Sequence, residues 1–159
     1  EAQLDRFMLK LVVDYNTKTE ELEIARRISS GKFEEINPVL SRDELDQLKT
    51  AIKEIHVDSE VEEYMIELVN ATRNPGDYGL EELKEYIQFG ASPRVSIDMF
   101  KAVKAMAFMR GKDFVTPVDV AYIVKELMRH RIVLSYEAEA EGITTDEIIQ
   151  KVLEAVAIP

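Results

Sequence analysis

Apolar residues recur every three or four positions along most of this 159-residue chain. That is the period of helices that bury one face. The helix starts are marked by side chains able to satisfy free backbone amides. Thr17 with Glu20 forms a capping box, in which the hydroxyl accepts from a free amide and the glutamate reaches back; it opens a helix ending near Ser30-Gly31. The same device predicts helices from Arg42 to about Ile55 (Ser41, Glu44), from Ser59 to about Arg73 (Ser59, Glu62), and from Thr144 to about Val156 (Thr144, Glu147). Ser92-Pro93 and Thr116-Pro117 put proline at the first helical position, where its missing donor costs nothing. They predict helices from Pro93 to about Arg110, closed by Gly111, and from Pro117 to about His130. Asn74-Pro75-Gly76-Asp77 is a stop, and Leu80 to Phe89 is expected to form a short helix.

One segment has a different pattern. Met8-Leu-Lys-Leu-Val-Val13 is a short apolar run with valines, read as a buried strand, with part of a helix as the alternative. A lone strand cannot satisfy its own backbone, and no partner is evident in the rest of the chain. A strand here implies a sheet lying upstream and an exposed edge where it was lost. Gly31 to Val39 has the character of a connector. Residues 1–38 are therefore read as the tail of one domain and 39–159 as a helical bundle, giving a mainly α chain with a short N-terminal strand and helix. The chain begins with Glu1 rather than Met, which suggests an excised piece.

The helix from Pro93 carries Val95, Ile97, Met99, Phe100, Val103, Met106, Phe108 and Met109, too wide an apolar surface for a flanking helix, so it should be central. Its polar residues Arg94, Asp98 and Lys101 fall on a narrow stripe. Arg94 thus adds a positive charge to the positive end of a helix, where anions are favoured. By spacing alone the plainer reading is an ion pair with Asp98 at i+4, worth a few tenths of a kcal/mol. The alternative is an external anion such as a phosphate.

Composition narrows the function. The chain is 46% hydrophobic and 32% charged, as a globular domain should be. The net charge of −11 repels phosphate backbones and anionic membrane surfaces. No cysteine is present, which excludes disulfides and thiolate metal sites. No apolar run approaches the roughly 20 residues of a membrane helix. His130, between Arg129 and Arg131 at a predicted helix end, suits the helix dipole, and His56 reads as a turn residue. Glu137, Glu139 and Glu141 read as a solvated face, and the methionines as core filler.

Several motifs, taken in order, resemble the C-terminal part of MoxR-type AAA+ ATPases. They are Glu1-Ala-Gln-Leu-Asp-Arg-Phe7, Pro38-Val-Leu-Ser41, Ala71-Thr-Arg73, Gly90-Ala-Ser-Pro-Arg94, Arg110-Gly-Lys-Asp-Phe-Val-Thr-Pro-Val-Asp-Val120, Arg129-His-Arg-Ile132 and Glu137-Ala-Glu-Ala-Glu-Gly142. The similarity spans essentially the whole chain. Asn16 and Val118 depart from residues the family often carries there. The resemblance implies an AAA+ lid-type helical bundle (39–159) behind a remnant of the α/β ATPase core (1–38). It implies that Arg94 is the sensor 2 residue reaching a nucleotide γ-phosphate, and that Arg6 is an arginine finger entering the neighbouring subunit's site. It further implies ATP and Mg2+ in the intact protein, a hexameric ring formed with its own core and neighbouring subunits, chaperone-like action on a client protein, and a cytoplasmic location.

The chain has no Gly-x-x-x-x-Gly-Lys-Ser/Thr loop and no acidic strand end to hold magnesium, so on its own it is expected not to hydrolyse ATP. A free-standing helical interaction module is the alternative from another class. A histone-like DNA-binding fold is opposed by the charge.

Overall fold

The computed structural model describes residues 3–31 and 35–159. Glu1 and Ala2 of the first motif, and positions 32–34 of the connector, lie outside the described residues. In chain order the elements are α1 (Lys18–Ser29), α2 (Arg42–Glu54), α3 (Ser59–Arg73), a 3-10 turn (Pro75–Tyr78), α4 (Leu83–Tyr86), β1 (Ile87–Phe89), α5 (Pro93–Met109), α6 (Pro117–Met128), β2 (Val133–Leu134), α7 (Tyr136–Glu141) and α8 (Thr145–Ala155). The mainly α expectation holds.

The local signals translate directly. Capping boxes form at Thr17/Glu20, Ser41/Glu44 and Thr144/Glu147. Helix α3 differs: Asp58 is its N-cap, Ser59 is already helical, and no side chain caps it. Gly111, at φ +71°, takes the left-handed conformation that lets the chain turn out of α5.

The core is built around α5 as its apolar width predicts. Val95, Met99 and Val103 of α5 are wholly buried in one cluster with Met65 and Leu68 of α3, Val124 and Leu127 of α6, and Ile148 and Val152 of α8. Each such side chain contributes about 1.5–3 kcal/mol by leaving water. Lys104 of α5 donates to the Lys53 carbonyl at the end of α2 (3.0 Å). The buried cluster runs from Ile55 to Val156, and neither α1 nor α2 contributes a fully buried residue.

Two expectations are corrected. Residues 9–16, where the run from Met8 to Val13 predicts a strand, form none. Leu11, Val12 and Val13 are exposed, and Lys10 makes a single backbone bond, to the Glu126 carbonyl (2.9 Å). The physical reason is the missing ladder: β propensity needs a neighbouring strand, and none lies beside this segment among the described residues. Second, Leu80–Phe89 is not one helix. It contains the single turn α4 and then β1, which pairs antiparallel with β2 through Ile87↔Leu134 and Phe89↔Val133. His56, read as a turn residue, forms an isolated parallel bridge to Phe114.

Candidate functional site

The opening turn of α5 is held by the end of α3. The Thr72 hydroxyl donates to the Val69 carbonyl (2.7 Å) and accepts from the Ala91 amide (3.0 Å), while Arg73 Nε donates to the Ala91 carbonyl (2.7 Å). The chain reaches this position only because residue 90 is glycine. A Cβ there would lie 2.5 Å from the Thr72 carbonyl oxygen and 2.9 Å from the Arg73 Cα, both backbone atoms that cannot swing aside. Thr72 is fully buried, so its hydrogen bonds form away from water.

Arg94 follows in the first turn of α5 and is exposed. Its side chain has no hydrogen-bond or ion-pair partner among the described residues. The i+4 pair with Asp98 does not form, because Asp98 is engaged elsewhere: Arg131 Nη2 donates to its carboxylate at 2.6 Å. Ser92, the N-cap of α5, makes no capping bond; its hydroxyl donates to the Asp5 carboxylate at 2.7 Å.

The Asp5 bond belongs to a wider clamp. Arg131, whose side chain is fully buried, also donates through Nη2 to the carbonyls of Asp5 (3.0 Å) and Phe7 (2.7 Å), and its Nε lies 3.5 Å from the Asp5 carboxylate. A ring nitrogen of His130 meets the same Phe7 carbonyl at 2.8 Å. Arg129 Nη1 donates to the Lys10 carbonyl (2.8 Å) while its other nitrogens make a two-point bond to Asp146 (2.8 Å each). The Arg129 bond, outweighing partial burial, keeps the Asp146 carboxyl below its ordinary value. The basic cluster does lie at the C-terminal end of α6, where cations suit the helix dipole, and it also holds residues 5–10. Arg6 lies inside that held segment, exposed, with its guanidinium over the Phe7 ring (5.4 Å). A groove of about 670 Å³ opens beside the clamp, lined by Gly90, Ser92, Arg129 to Arg131 and the exposed Phe89 and Tyr136.

The remaining candidates do no visible chemistry. His56 pairs with Asp58 (2.9 Å) at the surface. Of the acidic run, Glu141 accepts from the Tyr86 hydroxyl (2.8 Å) and Glu137 and Glu139 are exposed. Among the described residues no group of three or more side chains could hold a metal ion.

Comparison with known proteins follows the same lines. Residues 81–152 match the AAA lid domain family. Over its whole length the chain is 36% identical to the chaperone MoxR1 of Mycobacterium tuberculosis, covering 42% of that protein. The chain matches the C-terminal part of the MoxR-type AAA+ ATPases. Protein MoxR of Methylorubrum extorquens is 30% identical over 128 residues, which is 76% of this chain and 37% of that protein. A crystal structure of a candidate ATPase from Cytophaga hutchinsonii superposes with a TM-score of 0.94 at 42% identity, covering 99% of this chain and 48% of that one. The chain thus spans less than half the length of each of these proteins.

Arg94 and Arg6 were both legible as motif residues. Thr72, Gly90 and Asp5 stand within motifs that do not state their tasks, Arg131 reads only as a helix-end charge, and Asp98 reads as the partner of Arg94. The contacts that define those tasks span 18 positions (Gly90 against Thr72) to 126 (Arg131 to Asp5), beyond the reach of any local pattern.

Proposed function

We propose that this chain is the lid-bearing part of a MoxR-type AAA+ ATPase in which Arg94 senses the nucleotide γ-phosphate. The observation carrying this reading is an exposed guanidinium in the first turn of α5 that has no partner among the described residues, while the carboxylate spaced to neutralise it is taken by Arg131. A cation at a helix N-terminus is disfavoured by the dipole. An external phosphate reverses that balance, because both the guanidinium and the free amides then face an anion.

Arg6, exposed and tethered on both sides, is assigned as the arginine finger that stabilises charge in a neighbouring subunit's site. ATP is bound in the intact protein by an ATPase core, with residues 1–38 as that core's end and 39–159 as the lid. Magnesium is assigned to the same core. The fit of Arg94 to a phosphate oxygen is the part this chain supplies. Nucleotide-dependent lid movement would then drive chaperone-like remodelling of a partner protein by a cytoplasmic, hexameric ring.

The test uses the full-length protein. Arg94→Ala should lower kcat by about a hundred- to a thousandfold, the cost of losing one donor at a developing anion. Arg6→Ala should lower it by about a thousandfold. Turnover indistinguishable from wild type in Arg94→Ala would end the sensor assignment.

A further inference from the structure

We propose that Arg131 is a positioning residue that makes the segment carrying Arg6 and the helix turn carrying Arg94 move as one unit; this rests on the roles assigned to those two arginines. Two tethers straddle the pair. Ser92, two residues before Arg94, donates to the Asp5 side chain (2.7 Å). Asp98, one turn after Arg94, accepts from Arg131 Nη2 (2.6 Å), and the same nitrogen holds the carbonyls of Asp5 and Phe7, the residues flanking Arg6 (3.0 and 2.7 Å). Among the described residues, Arg131 is the side chain outside both segments that hydrogen-bonds both to α5 and to residues 5–7.

The chemistry of Arg131 suits transmission better than stability. Its side chain is fully buried, yet Nε and Nη1 make no hydrogen bond among the described residues. A buried cation with unused donors is a costly way to fasten two segments, and apolar packing of the same volume is often as stable. All three bonds leave one nitrogen, Nη2, so a single buried atom links Asp98 to both carbonyls, a directional link that apolar contacts do not supply. Shift α5 by a fraction of an ångström when Arg94 meets a phosphate, and the Asp98–Arg131 bond carries the shift to the two carbonyls around Arg6. A subunit would then present its finger to its neighbour according to its own nucleotide. Because finger placement is orientation-sensitive, a misplacement near 1 Å costs about a hundredfold in rate.

The experiment is amide hydrogen exchange of residues 5–10 in the full-length protein, with and without a non-hydrolysable ATP analogue, alongside steady-state kinetics. In wild type the analogue should slow exchange across 5–10. In Arg131→Met that nucleotide-dependent slowing should vanish and baseline exchange should rise on the order of tenfold, as expected for loss of charge-assisted bonds. Its kcat should fall about a hundredfold while KM changes little. Arg131→Lys, which keeps the charge but is one bond shorter and puts no nitrogen where Nη2 lies, should fail to rescue kcat. Ser92→Ala, which removes only one tether and leaves the core untouched, should give an intermediate loss and guards against a folding failure in the Met variant. Retained nucleotide-dependent slowing and normal kcat in either Arg131 variant would overturn the proposal, provided that Arg94→Ala is impaired. Should Arg94→Ala itself behave as wild type, the sensor assignment falls, and the coupling falls with it.

Discussion

Gly90 is where one atom decides whether Arg94 is placed at all. An added methyl meets the Thr72 carbonyl oxygen at 2.5 Å and its carbon at 2.7 Å, so α3 and the start of α5 must part. We expect Gly90→Ala to destabilise the chain by about 1–3 kcal/mol, the usual cost of overpacking, read as a lower denaturation midpoint at unchanged m value. An unchanged midpoint would show that the two segments can separate freely. Thr72→Val tests the same junction from the other side. It keeps the volume but strands the Ala91 amide, and should cost about 1–3 kcal/mol. At this scale the sequence shows which residues matter but not why. Ala71-Thr-Arg73 and Gly90-Ala-Ser-Pro-Arg94 stand out as motifs, yet nothing in either says that the first exists to hold the second.

Between elements, the junction from α5 to α6 turns on one buried carboxylate. Asp119, fully buried, accepts from Arg110 Nη1 (2.8 Å), Lys112 Nζ (2.9 Å), and the amide and hydroxyl of Thr116 (2.9 and 2.6 Å). Burial pushes its pKa upward, but the bonds from Thr116 and Lys112 outweigh it and hold the carboxyl below its ordinary 3.8. A folded-state pKa below the unfolded one means that this stabilisation is fully present above the ordinary value. It is lost as pH falls through the folded value. Asp119→Ala should therefore cost about 3 kcal/mol at neutral pH, and the gap between variant and wild type should close in strongly acidic solution. A gap that is constant down to acid unfolding would show that the charge is irrelevant. Elements of this kind are the most legible in the sequence. Thr116-Pro117 announces the start of α6, and the capping boxes at Thr17, Ser41 and Thr144 are correct, because each is decided within four residues. The β1–β2 ladder and the absent strand at 8–13 are the counterpart. Ile87 pairs with Leu134, 47 positions on, and no local pattern reveals that partner. The valines at 12 and 13 have strand propensity but nothing to pair with.

Across the whole chain, order and burial divide unequally. From Ile55 to Val156 the helices share one core, whereas α1 buries no side chain and leaves Leu22, Ile24 and Ile28 half exposed. A 12-residue helix without tertiary support is marginal in water, even with the capping box and the Glu23–Arg27 pair that α1 possesses. Its opening energy should therefore be close to zero, while α3, α5, α6 and α8 open only with global unfolding. Amide exchange of the 159-residue chain should show α1 exchanging almost as fast as an unstructured peptide and α5 slowest of all. In the full-length protein the same α1 amides should become protected, because the proposed division at residue 38 gives that helix to the ATPase core, whose surface would cover Leu22, Ile24 and Ile28. If α1 stays unprotected when the upstream sequence is present, that boundary is misplaced. The exposed apolar residues of 11–13 and α1 would then need a different partner.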